Sequence, residues 1–185
     1  ESSVHPFITH QAYRPLRDLP IEERLARLRQ PEVREAILAE KLERSGLAAF
    51  LLPSFHKLFP PRDPPDYEPG PDASVAAIAA REGRSPEEVT YDLMLGRGGH
   101  ELLYFPLLGY SGGDFEALRE MLLRPGTVLG LGDGGAHCGV LCDASLPSSM
   151  LAHWVRDRDR GERLGLEQVV RMQTRQTAEL YGLLD

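Results

Sequence analysis

Between positions 60 and 71 the chain reads PPRDPPDYEPGP, with six prolines. Proline fixes φ and lacks a backbone N–H, so neither a helix interior nor a central strand can run through such a stretch. The segment predicts an extended, semi-rigid connection with few long-range contacts. It cuts the 185-residue chain into pieces that must build their cores from short elements on either side.

On the N-terminal side, IEERLARLRQ sets Ile21, Leu25 and Leu28 on one helical face. PEVREAILAEKLERSG follows, with Pro31 suited to a first turn, Val33, Ile37 and Leu42 on the inner side, and Gly46 as a stop. Beyond the prolines, ASVAAIAAREG predicts a short helix ending at Gly83. SPEEVTYDLMLG opens with Ser85, Pro86 and Glu88 in the order of a capping box. ELLYFPLL (101–108) predicts a buried strand with Pro106 at its edge or end. GDFEALREMLLRPG predicts a helix from Asp114 to Pro125-Gly126, and TVLGLG (127–132) a second buried strand. SLPSSMLAHWVRDRDRG predicts a helix with Leu151, Trp154 and Val155 inward, its RDRDRGER run being a solvated end. GLEQVVRMQTRQTAELYGL predicts a last helix closed by Gly182. Strand, helix, strand, helix is the order of parallel βα units, so the fold class expected is α/β. The natural division falls between residues 1–100, mostly helical, and 101–185. A complete (β/α)8 barrel takes about 250 residues, so any barrel here is incomplete.

A net charge of −7 argues against nonspecific binding to nucleic acid or anionic membrane. No apolar run approaches the ~20 residues of a membrane span. Cys138 and Cys142 are the two cysteines, so no disulfide framework is implied and a reducing cytoplasm is the default expectation. The opening ESSVHPF has neither an initiator Met nor the layout of a signal peptide, which raises the expectation of a piece cut from a longer protein.

The chemistry concentrates in TVLGLGDGGAHCG. Asp133-Gly134 reads either as a hairpin turn or as a carboxylate at the end of a strand, where parallel units gather ligands. Gly134 and Gly135 would then let a substrate approach the backbone. Of the six histidines, at 5, 10, 56, 100, 137 and 153, His137 stands out because it shares this loop with Asp133. Cys138 and Cys142 have a spacing known in zinc sites but lack a completing pair, so buried, unreactive thiols are the better reading. GLGDGG lacks the Lys-Ser/Thr ending of a phosphate loop.

GLGDGGAHCG followed by TRQTAELYGL resembles the end of an amidohydrolase-superfamily barrel. HPFITHQAYRPLRDLPIEERLARL, YEPGPDASVAAIAAREGRSPEEVTYDLML and DGGAHCGVLCDASLPSSMLAHWVRDR resemble the N-acyl-D-amino-acid deacylase branch. The resemblance spans nearly the whole chain and is most specific around Asp133. It implies the C-terminal part of a metal-dependent (β/α)8 barrel. Residues 1–100 would follow strand seven and form a lid-like helical insertion, and 101–185 would contain strand eight. The early His-x-His and further ligands of that family have no match here, so the N-terminal part of the barrel would be missing. The implied reaction is hydrolysis of the amide of a small N-acyl-D-amino acid. Zinc would lower the pKa of bound water to about 7, and Asp133 would serve as metal ligand and general base. Gly134, Gly135 and His137 would contact substrate. Other linear or cyclic amides, and a non-catalytic folding or lid unit, remain open. Unpaired strand edges would favour self-association of such a fragment.

Overall fold

A computed structural model describes residues 5–41, 54–130, 132 and 143–183. The chain divides into two compact units, Ser3–Gly113 and Asp114–Asp185 together with Glu1–Ser2.

The first unit opens with turns at residues 5–13 and a 3-10 turn at Arg14–Leu16, followed by α1 (Ile21–Leu28) and α2 (Pro31–Ala39). Pro31 starts α2, and Ile37 is fully buried with Phe7, Tyr13, Leu16 and Tyr91. The helix stops at Glu40, short of Gly46, which lies outside the described residues, as does Leu42. The backbone turns extended at Glu40, whose carboxylate accepts the N–H groups of Gln11 and Ala12 at 2.7 and 3.1 Å.

The proline segment is irregular, as its composition dictates, but it is tied down. Tyr104 donates its hydroxyl to the carbonyl of Tyr67 at 2.9 Å, and Tyr110 donates to that of Pro69. α3 (Val75–Glu82) follows, capped by Ser74 and ended by Gly83 at φ 65°, a left-handed position that favours glycine. α4 (Pro86–Met94) carries the full capping box: Ser85 Oγ accepts the Glu88 N–H and Glu88 accepts that of Ser85. α3 and α4 bury Val75, Ala79 and Val89 around Leu58.

In the second unit α5 (Glu116–Leu123) starts beside Asp114, whose Oδ1 accepts the Glu116 N–H at 3.1 Å. α6 (Leu146–Ser149) widens into a π-helix, Met150–Asp157. Its wider turn leaves Met150 and Trp154 buried and Leu151 exposed, which corrects the inward placement of Leu151. The last predicted helix divides at Thr174 into α7 (Leu166–Gln173) and α8 (Arg175–Leu180). Thr174 Oγ1 bonds back to the Val170 carbonyl at 2.7 Å, a local competitor of the helical ladder. Gly182 ends the chain's last helix at φ 68°.

The α/β expectation, a partial (β/α)8 barrel, is overturned. The described residues are helical, and their β pairing is one isolated antiparallel bridge, Phe59 to Tyr104. Within 101–108, Leu103 and Phe105 pack inward while Leu102 and Leu108 are exposed, so the run is half-buried rather than enclosed on both faces. Pro106 removes the next donor of a ladder. In 127–130 Leu129 reaches the core, but no neighbouring strand is present among the described residues to pair with it. Both runs are apolar enough to be strands, and burial against helices satisfies them instead. With no strands there, the edge argument for self-association falls. The exposed side chains of Leu102 and Leu108, and of Leu166, Val170, Leu180, Tyr181 and Leu183, are what could drive it.

Ser85→Ala removes a cap from the central helix pair of the first unit. It is expected to cost about 1 kcal/mol, read as a lowered urea midpoint with unchanged slope.

Candidate functional site

Asp133, Gly134, Gly135 and His137 all lie outside the described residues, as do Cys138 and Cys142. What the structure defines is the frame from which they spring. Leu129 anchors the incoming segment on the core of Met150, Trp154, Leu164 and Val169. Gln176 on α8 donates to the Thr127 carbonyl at 2.8 Å, tying the same segment to the last helix. At the far end Asp143 opens the turn that leads into α6, its carbonyl accepting the Leu146 N–H at 2.9 Å.

The two ends meet. A Cβ at Gly132 would lie 2.8 Å from the Asp143 carbonyl oxygen and 3.3 Å from its carboxyl group. Gly132 and Asp143 therefore meet at a neck, and glycine at 132 is what allows that approach. Asp143 was not singled out in the sequence. Its Oδ1 is shielded from solvent and has no hydrogen-bond partner among the described residues. An acidic residue before Ser145, Leu146 and Pro147 was the available signal, because that order opens a helix.

The π-helix ends on a buried arginine. Arg158, predicted as solvated, is 1% exposed. Its guanidinium lies 5.0 Å from the Trp154 ring centroid, pairs with Glu116 at 2.9 Å and donates to the Glu162 carbonyl at 2.6 Å. Arg163 Nε in turn donates to the Arg158 carbonyl at 2.7 Å. Gly161 sits at φ 122°, and a Cβ there would come within 2.5 Å of Glu116 and 2.7 Å of the Arg158 guanidinium. The pair thus depends on a missing side chain. Arg156, two positions earlier, is instead exposed and pairs with Asp157 at 2.6 Å. That hydrogen bond holds the Asp157 carboxyl below its ordinary pKa. The charge run therefore contains one structural arginine, which planar stacking and fork-like donors suit to burial.

The zinc that the resemblance implies can be tested against these side chains. Among the described residues no three of His, Cys, Asp or Glu converge on a point that could hold a metal ion. No described helix is long and apolar enough to cross a membrane.

Comparison of the chain with models of known families, with curated proteins and with solved structures returns no match.

Arg158→Met is expected to destabilise the second unit by about 1.5–3 kcal/mol, the range for hydrogen bonds to a charged group. Arg156→Met, which breaks an exposed pair, should leave the thermal midpoint unchanged. Calorimetry of the two variants checks the contrast, and equal effects would place Arg158 in solvent.

Proposed function

We propose that the chain contributes an acid–base carboxylate, Asp133, to an amidohydrolase that cleaves the amide of N-acyl-D-amino acids. The observation that carries this is the sequence GLGDGGAHCG with TRQTAELYGL some forty residues on. It is supported by the frame around it, since the segment entering the Asp133 loop is tied by Gln176 to the helix formed by the second motif.

Amide hydrolysis needs a proton removed from water and a proton given to nitrogen, because an amide anion is too poor a leaving group. A single carboxylate can do both in turn. Asp133 takes a proton as the water oxygen bonds to the acyl carbon. It returns that proton to the nitrogen as the C–N bond breaks, which leaves a carboxylic acid and a free amino acid. On this reading Gly134 and Gly135 would let the substrate approach the backbone closely, and His137, four residues after Asp133, would contact it. The remaining catalytic groups would come from a longer polypeptide that contains this chain.

A second reading is favoured by the exposed apolar residues of the helices. Leu166 and Val170 are 52% and 44% exposed and share one face of α7, as a packing surface for another part of a protein would. On that reading the chain is a non-catalytic folding or lid unit.

Asp133→Asn in the longer protein separates the two readings. Asparagine keeps the shape and cannot accept the proton, so the hydrolysis rate of N-acetyl-D-amino acids is expected to fall by ~10²–10⁴ with the fold intact. Unchanged turnover would leave only the packing role. Stoichiometric zinc and amide hydrolysis by the 185-residue chain on its own would instead make it an independent enzyme.

A further inference from the structure

The N-terminal turns of the first unit are held by two groups of opposite acid–base character. His5 is 6% exposed and packs edge-on against Tyr13, ring centroids 4.6 Å apart, with Phe7 at 6.3 Å. Its Nδ1 accepts the Phe7 N–H at 3.2 Å, which fixes the neutral ring with its proton on Nε2. Nε2 is buried and has no partner among the described residues. A second proton on the ring would turn Nδ1 from acceptor to donor, break the Phe7 bond and place a charge in an apolar setting. The charged groups facing it are Arg24 of α1 and His10 of its own segment, and both oppose that charge.

Glu40 closes the other side. Its two carboxylate oxygens accept the Gln11 and Ala12 N–H groups, at 2.7 and 3.1 Å, from the end of α2. His10 and Arg14 face it, and both favour its ionised form. Protonation removes the charge that makes these bonds strong.

We propose that residues 5–13 form an acid-released latch, docked while His5 is neutral and Glu40 ionised, and freed when acid reverses both. Release uncovers the apolar faces of Leu16, Ile37 and Tyr91 that Phe7 and Tyr13 cover. The helices beneath have their own tie, a 2.8 Å bond from the Tyr91 hydroxyl to the Leu28 carbonyl. Opening is therefore local.

The direction follows from the two groups. Burial, then Arg24 and His10, push the docked His5 from its ordinary 6.5 down to about 4. The released histidine binds a proton first, so docking is at full strength above about 6.5 and weakens as pH falls toward about 4. The gap from 6.5 to about 4 shifts the docked-to-released ratio by up to roughly 300-fold. The two backbone bonds hold Glu40 below its ordinary value of 4.5, so its share is present above that value and is lost at lower pH.

The test is an NMR titration of the whole chain from pH 7.5 to 4. The amides of Phe7, Gln11 and Ala12 report docking, and those of α1, α2 and α4 report the helices. Wild type is expected to lose the docked amide signals progressively between pH 6.5 and 4 with the helical signals retained. His5→Asn keeps an acceptor near the Nδ1 position and cannot charge, so its docked signals should persist until Glu40 protonates. Glu40→Gln should weaken docking across the range and move the pH of release upward, with the dependence on His5 kept. The Cε1 proton of His5 in wild type gives a reading independent of any variant, with titration expected below the ordinary 6.5 and in step with the loss of the Phe7 amide signal. Superimposable profiles for wild type and His5→Asn, a His5 titration near 6.5, or loss of docked and helical signals in one step would each overturn the proposal.

Discussion

No α-helix among the described residues is longer than nine residues. Helices of that length are marginal in water, because the cost of nucleation is recovered over too few hydrogen bonds. Everything else in this molecule follows from that constraint. Each helix must be held by what it buries and by what satisfies its ends. The first unit answers with Ile37, Val75 and Val89 at the centre of small apolar clusters, and with caps at Ser74 and Ser85. The second unit answers with Val169 and Trp154 and with a buried guanidinium lying against the tryptophan face.

Side chains that fasten backbone groups recur wherever a helix gives out. Glu40 ends α2 by catching two N–H groups from the N-terminal turns, and Tyr104 and Tyr110 fix the proline segment by its carbonyls. Arg158 satisfies the Glu162 carbonyl beyond the π-helix, whose own last turn leaves the Trp154 carbonyl for the Leu164 N–H at 2.9 Å. The bonds of Glu40, Tyr104 and Tyr110 join residues 28 to 41 positions apart with no sequence pattern in common. Periodicity therefore located the helices and was silent about what joins them.

Local signals were legible where the physics is local. Ser85, Pro86 and Glu88 specify a helix start within four positions, and Gly83 and Gly182 specify stops through φ. The strands were misread because a short apolar run has no period of its own. ELLYFPLL and TVLGLG look alike whether a sheet or a helical layer covers them, and here no sheet is described. The inward placement of Leu151 failed because a π-turn changes the register after Met150. Solvation of the RDRDRGER run failed for Arg158, because its ionic partner Glu116 is remote in sequence. Of the candidate site, the glycine-framed neck at Gly132 and Asp143 was only half legible. The glycines announce a close approach, and nothing in the sequence says that Asp143 is what approaches.

The central claim is that the apolar runs at 101–108 and 127–130 are covered by helices and are not strands of a parallel sheet. Backbone chemical shifts and interstrand NOEs of the labelled chain test it directly. The account predicts no β ladder in either run beyond the single Phe59–Tyr104 pairing. Interstrand NOEs linking 103–107 to 127–130 in parallel register, with strand-type shifts across both runs, would contradict it.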